Sequence, residues 1–161
     1  MTYYDDMALG YNELYGEEQG KKLRLIAKYV KTQEQDTILD VGCGTGLLAK
    51  YFKGKITGID PSEELLKQCP FVAIKGSVES LPFPDHCFDW VVCITAIHHA
   101  KDVKKALSEM KRVGKGHWVI SVLKKSEKKE EIVSAIRTVF KVVQELEEEK
   151  DWIFILESKD I

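Results

Sequence analysis

Thr37-Ile38-Leu39-Asp40-Val41-Gly42-Cys43-Gly44-Thr45-Gly46 (TILDVGCGTG) is the stretch that decides the fold. Ile38, Leu39 and Val41 form an apolar β-type run carrying the acid Asp40, glycine then alternates with other residues, and LLAKYF opens a helical pattern. The segment reads as strand, glycine turn and helix start. Glycine has no Cβ, so it tolerates unusual backbone angles and lets a ligand lie almost on the main chain. At the carboxyl end of a parallel strand such a turn floors a nucleotide-type pocket. Its candidate binding residues are Asp40, Gly42, Cys43 through its backbone, Gly44 and Gly46. The dinucleotide fingerprint G-x-G-x-x-G would need glycine where Leu47 stands. The pocket therefore reads as built for a nucleoside without a pyrophosphate.

Lys55 to Asp60 (KITGID) reads as the next strand, ending in a second carboxylate. An acid at that distance can accept both hydroxyls of a ribose through charge-assisted hydrogen bonds. Pro61-Ser62-Glu63-Glu64 follows as a helix start, with a serine cap and acids in the first turn.

At this point the chain resembles the class I S-adenosylmethionine-dependent methyltransferases. Within them it resembles the group that includes the ubiquinone/menaquinone C-methyltransferases and the tRNA wobble-uridine methyltransferases. Tyr4-Asp5, Ala8, Tyr11-Asn12 and Tyr15 match the N-terminal segment Y-D-x-x-A-x-x-Y-[DN]-x-x-Y. Glu79 to Asp85 (ESLPFPD) with Phe88-Asp89 matches E-x-L-P-F-x-D...F-D, Ile97-His98-His99 matches I-H-H, and Ala106 to Val113 matches A-L-x-E-x-x-R-V. The resemblance implies S-adenosylmethionine as cofactor and S-adenosylhomocysteine as product. It implies that Tyr4 and Tyr11 cover the cofactor, and that Pro61, Ser77, Val78, Glu79 and Thr95 contribute to its site. Ser77 stands where many relatives carry an acid for the adenine amino group, and its hydroxyl can accept that bond without charge.

The implied fold is α/β, a Rossmann-like doubly wound seven-stranded sheet, mostly parallel with an antiparallel last strand. Length agrees with one domain over residues 1–161, in which 1–35 form a cofactor-covering segment and helix and 36–161 form the sheet core. Leu23, Ile26, Ala27 and Val30 predict a helix from Glu17 to Thr32. A third strand is expected over Phe71–Lys75, a fourth over the continuous apolar run Asp89–Thr95, and a fifth over Trp118–Leu123. Asp102 is expected to cap the helix bearing Val103, Ala106, Leu107 and Met110. Gly114 to His117 reads as a turn before strand 5, and Lys124 to Glu131 as a solvated loop and helix entrance. For the C-terminal part, Ile132, Ile136, Val139, Val143 and Leu146 fit one long helix. The resemblance favours instead a helix to about Val139 and strands near Phe140–Glu147 and Trp152–Glu157.

Composition narrows the functional class. The chain has 161 residues, 44% of them hydrophobic, with 24 basic and 26 acidic side chains and a formal net charge of −2. Bulk charge thus does not announce nucleic acid, and RNA contact would need a local patch or a partner. The longest apolar run, Trp90 to Ile97, is far shorter than a membrane span, and MTYYDD does not read as a signal peptide. A cytoplasmic protein without membrane contact is expected. Cys43, Cys69, Cys87 and Cys93 make no C-x-x-C pair, so the spacing suggests no metal site and the thiols read as small fillers.

A sulfonium methyl is already activated, so alignment supplies much of the rate and a general base is optional. His98 and His99 are the candidate catalytic residues, as base or as pocket wall. There is no N-P-P-Y or D-P-P-Y after strand 4, where Ile94-Thr95-Ala96-Ile97 stands. By that resemblance, amide-nitrogen and exocyclic base-nitrogen methylation are disfavoured. A small-molecule, RNA or protein acceptor stays open. So does a small activator protein or a second copy as partner. The alternative from another class is a catalytically silent S-adenosylmethionine-binding subunit that regulates a partner.

Overall fold

Strand β1 (Thr37–Val41) of the computed structural model is the apolar run that precedes the glycines; the structure describes residues 16–159. These fall into two compact units, one ending at Ser77 and one beginning at Val78. In the first, β1 pairs in parallel with β2 (Lys55–Asp60), placing Ile38 opposite Ile56 and Val41 opposite Ile59. β3 (Val72–Lys75) adds in parallel on the far side of β2, with Asp60 opposite Lys75. The strand order is β3-β2-β1.

Helix α1 (Gly16–Ala27) has Glu17 and Glu18 in its first turn and Arg24 in its last, as the helix dipole favours. It stops five residues before the predicted Thr32. Lys28 and Tyr29 donate to the carbonyls three residues back, and Lys31 Nζ occupies the Ala27 carbonyl at 2.7 Å. Val30 is nevertheless only 4% exposed. The apolar period marked what is buried, and the backbone left the helix before it. LLAKYF, expected as a helix, forms a single 3₁₀ turn at Leu47–Lys50, entered through left-handed Gly46 with no side-chain cap. Ser62 caps α2 (Glu63–Leu66) as expected, its Oγ accepting from Leu65 N at 3.2 Å. That helix is one turn long, after which Gln68 N and Cys69 N donate to the carbonyls three residues back.

In the second unit β4 (Phe88–Cys93) and β5 (Gly114–Leu123) are parallel, β7 (Asp151–Glu157) is antiparallel to β5, and β6 (Lys141–Glu147) is antiparallel to β7. The order β4-β5-β7-β6 makes up the remaining four strands of the seven-stranded sheet, and β7 runs against both its neighbours. The Gly114–His117 turn expected before strand 5 is itself strand, with Gly114 opposite Phe88 and His117 opposite Trp90. Glycine is required at 114 by close approach, since a Cβ there would lie 2.7 Å from the Trp118 indole. That indole is fully buried and donates to Met110 O at 2.8 Å.

Asp102 caps α3 (Val103–Val113) by accepting from Lys105 N at 3.0 Å, and Val103, Ala106, Leu107 and Met110 are buried as their spacing requires. α4 (Lys129–Val139) ends where Phe140 turns into extended backbone, packing 4.8 Å from Trp118 between ring centroids. The single long C-terminal helix is thereby excluded, and the two strands of the resemblance stand in its place. Among the described residues no helix is long and apolar enough to cross a membrane.

Candidate functional site

Gly42, Gly44 and Gly46 all sit at positive φ, 76°, 54° and 82°. Gly42 N donates to Ile59 O at 2.8 Å and Cys43 N to the same carbonyl at 3.2 Å, which ties the turn to the end of β2. Asp60 completes the tie. Its Oδ2 accepts from Gly44 N and its Oδ1 from Ser62 N, each at 2.9 Å, with the residue 5% exposed. The carboxylate expected to meet a ribose thus already holds the turn and the following helix entrance, a role the spacing alone did not reveal. Pro61, beside it, is exposed.

The floor of the turn admits no added side chain. A Cβ at Gly46 would lie 2.5 Å from Pro70 Cδ and 2.8 Å from Cys69 Sγ, and one at Gly58 would lie 2.5 Å from Cys43 Sγ. Cys43 and Cys69 are joined by a side-chain hydrogen bond, which brings Cys69 to about 7 and pushes Cys43 up. Nothing in the spacing of these cysteines predicted their meeting. Asp40 is buried, and its pKa is raised to about 8, first by burial and then by the charges of Cys69 and Asp60.

Two more buried polar groups belong to this unit. Gln19 Nε2 on α1 and Thr45 Oγ1 within the turn have no hydrogen-bond partner. Thr45 lies in the glycine motif, but no sequence signal singles out Gln19. Ser77, at the end of this unit, is exposed.

In the second unit, Thr95 follows β4 with φ 51°, a left-handed backbone that is rare for a β-branched residue. It is held there by a buried network. Thr95 N donates to Ser121 Oγ at 2.7 Å, while Thr95 Oγ1 and Ser121 Oγ donate to Asp151 Oδ2 at 2.7 and 2.9 Å. Val78 and Glu79 are half-buried, and Glu79 Oε2 accepts from Lys101 N at 2.8 Å at the approach to α3. The structure also shows why two of the family motifs occur together. Arg112 donates to the Leu81 and Phe83 carbonyls and to Asp85, while Glu109 accepts from Leu81 N and from Arg112.

His98 and His99 occupy the 3₁₀ turn Ile97–His99 with ring centroids 4.0 Å apart. His99 titrates below its ordinary value, first through partial burial and then through the charge of Lys128. Lys128 Nζ donates to Ala100 O at 2.8 Å, just beyond the pair. Tyr4 and Tyr11 lie outside the described residues. No group of three or more His, Cys, Asp or Glu side chains among the described residues could hold a metal ion.

The family profile "Methyltransferase domain" matches residues 39–120, half of the chain. The chain is 33% identical over 118 residues to the uncharacterized methyltransferase YcgJ of Bacillus subtilis, covering 63% of this chain and 47% of that protein. A solved S-adenosylmethionine-dependent methyltransferase from Aquifex aeolicus superposes with a TM-score of 0.71 at 22% identity, covering 84% of this chain and 88% of that one. A Haloferax volcanii complex between a methyltransferase and the Trm112 methyltransferase activator gives a TM-score of 0.80 at 17% identity, with 98% of each chain covered. These structural likenesses show the fold, the Rossmann-like sheet of class I methyltransferases. This chain belongs to the methyltransferase domain family. It spans about half or less of the length of the first curated relatives it matches.

The residues of the first unit fit the cofactor that the family implies. A main chain of left-handed glycines lets a nucleoside approach closely, a carboxylate such as that of Asp60 is the type of group that accepts from ribose hydroxyls, and the orphaned Thr45 Oγ1 is a further polar atom in the turn.

Proposed function

We propose that this protein is an S-adenosylmethionine-dependent methyltransferase whose Gly42–Gly46 turn binds the cofactor. The observation that carries this reading is the turn itself, three left-handed glycines latched to buried Asp60. When bound, the cofactor supplies an activated methyl on a sulfonium. The chain's own contribution is alignment, and holding the reacting atoms about 3–3.5 Å apart can provide much of the rate. His98 and His99 serve the acceptor, His99 as a neutral imidazole near neutral pH. The lowered titration of His99 supports that protonation state.

The acceptor is a small molecule, an RNA or a protein, and the protein works in the cytoplasm. A small activator protein or a second copy completes acceptor binding. The Trm112-bound fold relative supports a partner. So does the outer edge of β3, which no described strand pairs and which carries Val72 at 71% exposure.

Calorimetry with S-adenosylmethionine, S-adenosylhomocysteine and NAD tests the cofactor. Transfer of labelled methyl into cell-extract fractions, with and without ribonuclease and protease, tests the activity and sorts the acceptors. Tight NAD binding with no heat from S-adenosylhomocysteine ends the methyltransferase reading. Binding without any transfer favours the silent cofactor-binding subunit.

A further inference from the structure

Gln19 and Thr45 are each 6% exposed, yet Gln19 Nε2 and Thr45 Oγ1 make no hydrogen bond. Buried polar groups without partners are few in folded proteins, and each calls for an explanation such as a ligand. Thr45 lies within the glycine turn, and Gln19 lies on the helix that packs on the segment leaving it. Helix α1 packs on the segment that leaves the turn, where a Cβ at Gly16 would lie 3.9 Å from Leu47 Cδ1 and one at Gly20 would lie 3.1 Å from Tyr51 Oη. Gln19, three residues after Gly16, shares the helical face of Gly16. Thr45 is two residues before Leu47.

The chemistry of the two groups limits what can satisfy them. An amide nitrogen only donates, and a hydroxyl donates or accepts, so the ligand atom facing Gln19 Nε2 must be an acceptor. In the proposed cofactor the ribose is assigned to Asp60, at the end of β2. The strongest acceptor left is the anionic carboxylate at the amino-acid end, and bonds to an anion are the stronger class. We propose that Gln19 and Thr45 bind the amino-acid end of the cofactor, donating to its carboxylate. They would thereby select an aminoacyl nucleoside over a plain one. This assignment rests on the cofactor reading above.

The test titrates wild type, Gln19→Leu, Thr45→Val and Thr45→Ser with two probes. One is S-adenosylhomocysteine; the other is 5′-methylthioadenosine, a nucleoside thioether that lacks the amino-acid end. Melting temperatures of the ligand-free proteins are measured alongside. The expected result is a loss of about 10- to 100-fold in S-adenosylhomocysteine affinity for Gln19→Leu and Thr45→Val, the scale of one charge-assisted hydrogen bond. Affinity for 5′-methylthioadenosine stays within about twofold, and Thr45→Ser, which keeps the hydroxyl, binds like wild type. Ligand-free melting temperatures stay level or rise, because each apolar replacement removes an unsatisfied buried group. A purely structural role predicts the reverse, lower melting temperatures and parallel losses for both probes, and that result overturns the assignment. Unchanged S-adenosylhomocysteine affinity in Gln19→Leu and Thr45→Val overturns it as well. If wild type itself gives no heat with S-adenosylhomocysteine, the cofactor reading fails, and the assignment falls with it.

Discussion

Gly44 N donates to Asp60 Oδ2 at 2.9 Å, so the middle glycine of the turn and the acid ending the next strand act as one unit. Asp60→Ala is expected to lower cofactor affinity by about 30- to 1000-fold, equivalent to about 2–4 kcal/mol. It is also expected to lower the melting temperature, because two buried amides lose their acceptor. Asp60→Asn keeps the shape and one acceptor oxygen, so it recovers part of the stability and little of the affinity. Calorimetry and thermal melts on both variants check this, and wild-type binding by Asp60→Ala removes the ribose assignment.

Gly114 and Trp118 supply a second check, on packing. Gly114→Ala places a methyl against the indole and is expected to cost about 1–3 kcal/mol, the usual scale of overpacking. Pairing it with Trp118→Leu opens space at the same spot, so the double variant loses less than the sum of the two single losses. Additive losses in urea unfolding would mean that residue 114 does not press on the ring.

How much was legible in sequence follows from what each signal measures. The strand, glycine turn, strand, acid series from Thr37 to Asp60 was readable because glycine and burial leave local marks. Asp102 and Ser62 were readable as caps for the same reason. The ends of α1 and the 3₁₀ turn at Leu47 were not, since apolar period reports a buried face and Val30 keeps that face from outside the helix. Gly114 to His117 looked like a turn because glycine marks turns and close approaches alike, and the Trp118 ring that decides between them is placed only by the fold. The meeting of Cys43 with Cys69, and the orphaned amide of Gln19, depend on packing between separate elements. No local pattern encodes either.

Asp40 yields a pH prediction. Its pKa is raised to about 8 from an ordinary 3.8, so between these values the folded chain holds a proton that the unfolded chain releases. Stability from this group is full below the unfolded pKa and is lost as pH rises through the folded one. Asp40→Asn removes the titration. Melting temperatures of wild type relative to Asp40→Asn are therefore expected to fall from pH 5 to pH 8 and then level off. A constant difference across that range means that Asp40 is ionised in the folded chain throughout.

Cys69, brought to about 7 beside Cys43, is expected to be the thiol most reactive toward iodoacetamide at neutral pH. Its Sγ would sit 2.8 Å from a Cβ at Gly46, so alkylation crowds the turn and is expected to weaken S-adenosylhomocysteine binding. Bound S-adenosylhomocysteine slows the labelling in return. Peptide mapping of the labelled site, with Cys69→Ala as control, checks both statements. Preferred labelling at Cys87 instead would show that exposure outweighs thiolate content.

The histidine pair carries the last prediction. His98→Ala and His99→Ala are expected to leave S-adenosylhomocysteine affinity within a few-fold, while at least one of them lowers methyl transfer. A loss of about 10²-fold or more marks a general base, and a smaller loss marks positioning. If His99 is the base, it works as neutral imidazole, and its lowered pKa sets the acid limb of the rate profile below the ordinary histidine value of about 6.5. Burial is the first cause of that lowering and Lys128 the second. Lys128→Met removes the charge, so it moves the acid limb upward toward the ordinary value and leaves the alkaline side unchanged. Transfer rates measured from pH 5 to 8 in the wild type and in Lys128→Met decide the point. An acid limb that stays in place shows that His99 does not set the rate, and unchanged transfer in both alanine variants returns the pair to the wall of the fold.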